Sequence, residues 1–167
     1  MLKYFFISFF TVLFDQLSKI YIKNFFVYHE SKNILGTFLK FTYIENPGIV
    51  FGLDVNLLFY YLITFLSICI IVFLCFKILE ESRLNINNSL LLISYSLILG
   101  GAIGNVIDRL FKIFNLFNYQ GVIDFIDMGI GYYRFYIFNI ADMSVTIGIV
   151  LFILYSYFID IKHHDFV

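Results

Sequence analysis

The sequence predicts an all-α membrane protein with four transmembrane helices and a small β-rich platform at the membrane surface. Of the 167 residues, 61% are hydrophobic and 22% are aromatic, whereas only 14% are charged. This composition is typical of a chain that has lipid rather than water around most of its surface. The net charge of −1 gives no indication of a nucleic acid partner. The length fits one integral membrane domain, residues 1–167.

Four apolar stretches reach the length of about 20 residues that a helix needs to cross a bilayer. In chain order they cover residues of about 2–22, 57–76, 89–110 and 137–159. The first is interrupted by Asp15, Gln16 and Lys19. It lacks a small-residue cleavage site, so we interpret it as a span rather than as a removed signal peptide.

The two long connections, 23–56 and 111–136, are predicted to lie on the same side of the membrane, opposite both termini. Within the first, residues 34–53 interleave Thr, Tyr, Phe and Ile with polar residues and close on Pro47-Gly48. This pattern predicts one or two short strands and a turn. The second connection is broken by glycines, and we expect a loop or a helix there. Seven of the eleven Lys and Arg residues fall on this side, so the positive-inside count by itself opposes cytoplasmic termini.

The polar motif N-x-x-D occurs twice at the ends of predicted spans. Asn105 and Asp108 stand where the third span leaves the membrane, and Asn139 and Asp142 stand where the fourth enters it. Residues three apart lie on one face of a helix, and a carboxylate within a bilayer costs about 2.5–3.5 kcal/mol on insertion scales. The third span ends on the side where the fourth begins, and the loop between them carries Asp124. We therefore expect these side chains to converge near one interface.

Each of these residues also has a structural interpretation. Asp108 and its neighbour Arg109 could form an ion pair or anchor a helix end, the two asparagines could be hydrogen-bonding struts, and Asp142 could cap the fourth helix. Asp127 is expected to be an exposed loop acid, and Asp15 to be structural. The spacing Gly100-x-x-x-Gly104 is explained by close helix packing.

The residue types favour carboxylate chemistry. The sequence has no Cys/His cluster at zinc spacing and no positioned Ser–His or Cys–His pair, so we predict neither a metal ion nor a cofactor. Two carboxylates that share a site cannot both ionise cheaply, so one keeps its proton near neutral pH. One can then take a proton from water while the other donates to a carbonyl oxygen. Asp142, at a helix start, should favour the anion, and Asp124, between Ile123 and Phe125, should favour the acid.

Five motifs in this order resemble lipoprotein signal peptidase, also called signal peptidase II. They are DQLSK (15–19), ENPGIVFG (45–52), GGAIGNVIDR (100–109), VIDFID (122–127) and FNIAD (138–142). The resemblance spans nearly the whole chain. It implies a monomeric aspartyl endopeptidase of the bacterial inner membrane, with both termini in the cytoplasm and the active site near the extracytoplasmic face. The implied substrate is a diacylglyceryl-modified prolipoprotein in membrane lipid, which is cut just before the lipidated cysteine.

The resemblance also assigns roles residue by residue. Asp124 and Asp142 match the catalytic dyad. Residues that match binding or positioning sites of the family are Asn46, Gly48, Asn105, Asp108, Arg109 and Asn139. Asp15 and Lys19 match structural positions. The sequence departs from the family at Ile49-Val50, where small residues are usual, which puts the detailed substrate preference in question.

Two other classes of protein use similar residues. A small transporter or ion relay could use the same acids, but it should carry acids through the depth of the bilayer, and the middles of the second and fourth spans have none. A structural membrane subunit could use polar residues to join helices, which explains each N-x-x-D motif but not Asp124.

Overall fold

A computed structural model describes residues 2–47, 57–84 and 88–164, with only the backbone described for residue 57 and residues 159–164. It contains four long helices and four short strands. The helices are α1 (Leu2–Phe25), α2 (Leu57–Glu81), α3 (Ser89–Ile113) and α4 (Ile140–His164). The strands are β1 (Ser31–Leu35), β2 (Leu39–Asn46), β3 (Val122–Ile130) and β4 (Tyr133–Arg134). All four helices are long and apolar enough to cross a membrane, as the sequence predicts.

The outside of the helical bundle is apolar, and its interior holds buried charged groups as well as an apolar cluster. Large apolar side chains such as Phe9, Phe65 and Ile153 are exposed, whereas Asp15 and Lys19 are fully buried. A surface of this kind is stable only in a solvent that is itself apolar.

Helix α3 packs against each of the other three helices, and small residues allow the close approach. A Cβ atom at Gly100 would lie 2.6 Å from Cβ of Thr11, and one at Gly104 would lie 2.5 Å from Oδ2 of Asp15. Side chains at these two positions would separate α3 from α1. The packing role predicted for this glycine spacing is confirmed.

The strands form one antiparallel sheet in the order β1-β2-β3-β4. The predicted strand-and-turn segment is therefore confirmed in β1 and β2, but the loop or helix expected over 111–136 is wrong because this connection supplies β3 and β4. Most of the β3 side chains are buried on both faces, so β3 lacks the alternation by which a strand is recognised in a sequence.

An apolar cluster fixes the sheet to one end of the bundle. It joins Ile22 and Phe26 at the end of α1 to Tyr43 of β2 and to Ile123 and Phe125 of β3. The chain that leads into α4 also pairs with β3, since the backbone of Phe138 exchanges hydrogen bonds with that of Ile126. The middle of β3 is thus held directly beside the first turn of α4.

Candidate active site

Asp124 is the third residue of β3 and is only 3% exposed. Its Oδ1 accepts a hydrogen bond of 2.6 Å from Nδ2 of Asn139, and its Oδ2 accepts one of 3.3 Å from Nδ2 of Asn46. Burial and the nearby charge of Asp142 raise the pKa of Asp124 from 3.8 to about 7. A carboxyl group with this pKa can hold a proton at neutral pH.

Asp142 lies in the first turn of α4 and forms a reciprocal cap with Asn139. The backbone N–H of Asp142 donates to Oδ1 of Asn139 (2.9 Å), and the backbone N–H of Asn139 donates to Oδ2 of Asp142 (3.1 Å). This is the geometry of a capping box, in which each side chain satisfies the other residue's N–H group. Nδ2 of Asn105 donates to the remaining oxygen, Oδ1, at 2.8 Å. The predicted helix cap is therefore present, but Asp142 also faces the residues around Asp124.

Asn139 connects the two acids. Its backbone N–H donates to Asp142, and its fully buried side-chain amide donates to Asp124. The same Nδ2 also lies 3.2 Å from the carbonyl oxygen of Ile123 and 3.1 Å from Oδ1 of Asn105. One residue thus positions both carboxyl groups relative to each other, and the two N-x-x-D motifs converge as expected.

A buried charge cluster lies behind the acids. Nζ of Lys19 is 2.8 Å from Oδ2 of Asp15 and 2.9 Å from Oδ2 of Asp108, with all three side chains fully buried. Nζ also donates to Oδ1 of Asn105 at 3.0 Å. Of the two positions predicted to be structural, Lys19 therefore contacts Asn105, which holds Asp142, and Asp15 is paired with Lys19.

The carboxylates of Asp15 and Asp108 also accept hydrogen bonds from backbone N–H groups of the site. Oδ1 of Asp15 accepts from the N–H of Ala141 at 2.9 Å, and Oδ2 of Asp108 accepts from the N–H of Ile123 at 3.1 Å. These bonds tie α1 to the start of α4, and α3 to β3. Asp108 pairs with Lys19 across the bundle, and no ion pair between Asp108 and Arg109 is present in the described structure.

Asn46 and Arg109 also lie at this site. Asn46 ends β2 and donates to Asp124, and the guanidinium group of Arg109 is close enough to Asp142 and Asp124 to interact electrostatically with both. Gly48 and the pair Ile49-Val50 lie outside the described residues.

Glu45 begins the motif ENPGIVFG but was given no role from the sequence. It lies beside Asn46 and accepts hydrogen bonds from Nζ of Lys23 (2.6 Å), from the hydroxyl of Tyr43 and from the backbone N–H of Gln120. Burial alone would raise the pKa of Glu45, but the hydrogen bonds from Lys23, Tyr43 and the Gln120 backbone, together with the charge of Lys23, hold this pKa below its ordinary value. Glu45 thereby fixes the end of β2 that presents Asn46 to the site.

Gln16 is a second residue of this kind. Its Nε2 lies within hydrogen-bonding distance of three acceptors, which are Oδ2 of Asp15 (3.2 Å), Oδ1 of Asp108 (3.1 Å) and the carbonyl oxygen of Gly104 (3.1 Å). The sequence signal for Gln16 was its position, since it is a polar amide beside Asp15 within an otherwise apolar span.

The prediction that Asp127 is an exposed loop acid is wrong. Asp127 lies on β3, is buried, and accepts from Nε of Arg134 at 2.6 Å and from the hydroxyl of Thr42 at 2.9 Å. It joins the strands of the sheet and takes no part in the contacts around Asp124.

The fold resembles solved structures of membrane enzymes. One is described as a bacterial membrane enzyme structure determined by the in meso method at 2.3 Å resolution; it has a TM-score of 0.81 and 30% identity, covering 98% of this chain and 92% of the other. A second, with the same description at 1.9 Å resolution, has a TM-score of 0.75 and 32% identity, covering 92% of both chains. Together with the four helices and their polar cluster, this similarity defines a multi-pass bacterial membrane enzyme.

Sequence comparison identifies the family. Residues 7–158 match the family model described as Signal peptidase (SPase) II. Relatives named lipoprotein signal peptidase include those of Moorella thermoacetica (37% identical over 137 residues, 82% of this chain and 81% of the relative) and Listeria welshimeri (34% over 160 residues, 95% and 96%). That of Syntrophus aciditrophicus is 34% identical over 144 residues, 83% of this chain and 81% of the relative. The chain therefore belongs to the signal peptidase II family, a family of peptidases that remove signal peptides from prolipoproteins.

Proposed function

We propose that this chain is an aspartyl endopeptidase that cleaves diacylglyceryl-modified prolipoproteins just before the lipidated cysteine, with Asp124 and Asp142 as its catalytic pair. The observation that carries the proposal is the position of Asn139, which hydrogen-bonds to both carboxyl groups. Paired carboxyl groups with one shared proton supply both the base and the acid that peptide hydrolysis needs.

Asp142 is the base in this mechanism. Hydrogen bonds from Asn105 and from the backbone of Asn139 hold its carboxyl group in place, and its partial exposure gives water access. The carboxylate takes a proton from a water molecule as the water oxygen attacks the carbonyl carbon of the scissile peptide bond.

Asp124 is the acid. Its buried, protonated carboxyl group donates to the carbonyl oxygen, so that a neutral tetrahedral intermediate forms. When the carbon–nitrogen bond breaks, Asp142 returns its proton to the leaving amine. Asp124 regains its own proton as the carbonyl re-forms, and both acids are restored.

The membrane placement follows from the same proposal. The sheet end of the bundle lies at the extracytoplasmic face of the bacterial inner membrane, both termini lie in the cytoplasm, and the chain acts as a monomer formed by one domain, residues 1–167. The apolar exterior of the helices lets a lipid-anchored substrate approach laterally from the bilayer. Asn46, Asn105, Asp108, Arg109 and Asn139 position the substrate or the acids, and Gly48 is assigned with them from the family pattern.

The test is cleavage of a synthetic diacylglyceryl peptide by purified protein in detergent. Asp124→Asn and Asp142→Asn each preserve side-chain shape but remove the titratable group, and each should lower kcat by at least about 1,000-fold, within the range of general acid–base catalysis. Asp127→Asn is the matched control because it removes a buried acid from the same strand without touching the site.

Mass spectrometry should locate the cut before the lipidated cysteine, and a chelator should leave the rate unchanged. Asp108→Asn should lower kcat less than either dyad variant does. If either dyad variant cleaves at the wild-type rate, that residue does not belong to the catalytic pair. If Asp124→Asn is active while Asp108→Asn is folded but inactive, Asp108 rather than Asp124 is the partner of Asp142.

A further inference from the structure

Two buried polar atoms beside the candidate active site have no hydrogen-bond partner within the described part of the chain. They are the hydroxyl of Tyr60, in the first turn of α2, and Nε of Arg109, on α3. Tyr60 is only 2% exposed. Buried polar groups are nearly always paired in folded proteins, so two orphaned groups together need an explanation.

The Tyr60 hydroxyl and the Arg109 guanidinium group are neighbours, and the Tyr60 ring also contacts α3. The hydroxyl of Tyr60 and the guanidinium group of Arg109 are close enough to interact electrostatically. One turn further along α3, Nζ of Lys112 lies 4.1 Å from the centroid of the Tyr60 ring and donates to the carbonyl oxygen of Pro47 at 2.8 Å. Lys112 thus contacts both the Tyr60 ring and Pro47, the residue directly after β2.

This position adjoins the proposed catalytic pair. Arg109 interacts electrostatically with both Asp124 and Asp142, and Pro47 directly follows Asn46, which donates to Asp124. A ligand atom between Tyr60 and Arg109 would therefore lie beside the proposed catalytic pair.

We propose that the Tyr60 hydroxyl and Arg109 Nε together bind one carbonyl oxygen of the lipidated substrate. This inference rests on the function proposed above. Nε of Arg109 can only donate, and a hydroxyl can also donate, so the pair matches an oxygen atom that accepts two hydrogen bonds. The substrate offers such oxygens in the esters of its diacylglyceryl group and in the peptide bonds that flank its cysteine.

The test compares Tyr60→Phe with the wild type on the diacylglyceryl peptide. Phenylalanine keeps the ring against Lys112 but removes the hydroxyl. We expect kcat/KM to fall about fivefold to tenfold, the size of one lost hydrogen bond. Tyr4→Phe is the matched control, since Tyr4 is also a buried tyrosine of the bundle, its hydroxyl lies 3.5 Å from Oγ of Ser89, and it packs in the apolar cluster of the helices rather than in the one beneath the sheet. This control should leave kcat/KM unchanged.

Two further measurements separate binding from folding. Arg109→Lys keeps the positive charge and removes Nε; if both groups bind one oxygen, the double variant should lose less than the product of the two single losses. A substrate whose acyl chains are linked by ethers has no ester carbonyls. If the effect of Tyr60→Phe disappears on the ether substrate, the acceptor is an ester carbonyl, and if it persists, the acceptor is a peptide carbonyl.

The inference is overturned if Tyr60→Phe, with activity expressed per folded molecule, has a kcat/KM within twofold of the wild type on the ester substrate. Expressing the rate in this way keeps the test decisive even if the variant is less stable. A wild-type protein that leaves the substrate intact would instead contradict the proposed function itself, so the two failures are distinguishable.

Discussion

Replacing Lys19 with methionine tests whether the buried charge cluster positions the site. Methionine has a similar length and no charge, so Lys19→Met leaves the shape of α1 nearly unchanged. In the native protein all three ammonium protons of Lys19 are used, towards Asp15 (2.8 Å), Asp108 (2.9 Å) and Asn105 (3.0 Å). The variant would leave two fully buried carboxyl groups facing each other without a cation between them.

The expected loss is large because no solvent reaches these groups. Removal of one partner from a buried ion pair costs about 3–5 kcal/mol, which for a chain of this size corresponds to a fall in melting temperature on the order of 10 °C. Activity should fall as well, since Asn105 loses a contact that helps it to hold Asp142.

The assay is thermal unfolding in detergent, followed by intrinsic tyrosine fluorescence. The double variant Lys19→Met/Asp108→Asn carries one buried acid fewer than Lys19→Met. Asp108→Asn should therefore lower the free energy of unfolding less in the Lys19→Met background than in the wild type. The difference should be at least about 1 kcal/mol, within the usual range for residues in contact. A Lys19→Met protein that melts within about 2 °C of the wild type, or additive effects in the double variant, would refute the reasoning.

Two further substitutions probe the geometry of the site. Asn139→Asp keeps an oxygen that can cap α4 but loses the donor to Asp124, so it should remain folded while its kcat falls by roughly 100-fold; a rate near that of the wild type would contradict the bridging role. Gly104→Ala places a methyl group against Oδ2 of Asp15 and should destabilise the protein by about 1–3 kcal/mol through overpacking, measured as a lower melting temperature. An unchanged melting temperature would show that α1 and α3 can separate at no cost.

The helices and the meeting of the two N-x-x-D motifs could be predicted because they depend on local patterns. The length of each apolar stretch predicts a membrane span. A spacing of three residues places Asn105 and Asp108 on one face of their helix, and it does the same for Asn139 and Asp142. The order of the spans then brings both pairs to the same end of the bundle. These inferences need no knowledge of how distant segments pack.

Features that depend on distant pairing could not be predicted in this way. Asp127 is buried because β3 pairs with β2 and because Arg134 approaches from β4, and neither contact leaves a local signal. Tyr60 is one of 13 tyrosines in a chain rich in aromatic residues, and only its burial beside Arg109 distinguishes it. The strand β3 itself was missed because burial on both faces removes its periodicity.

The pH dependence of kcat/KM tests most directly whether Asp124 and Asp142 act as a pair that shares one proton. Burial and the charge of Asp142 raise the pKa of Asp124 to about 7, so activity should fall as the pH rises through that value and the acid loses its proton. Activity should also fall at low pH, where no carboxylate of the pair remains to accept a proton from water. A bell-shaped profile whose basic limb lies near pH 7 is expected, and a profile with a single ionisation would contradict the shared-proton pair.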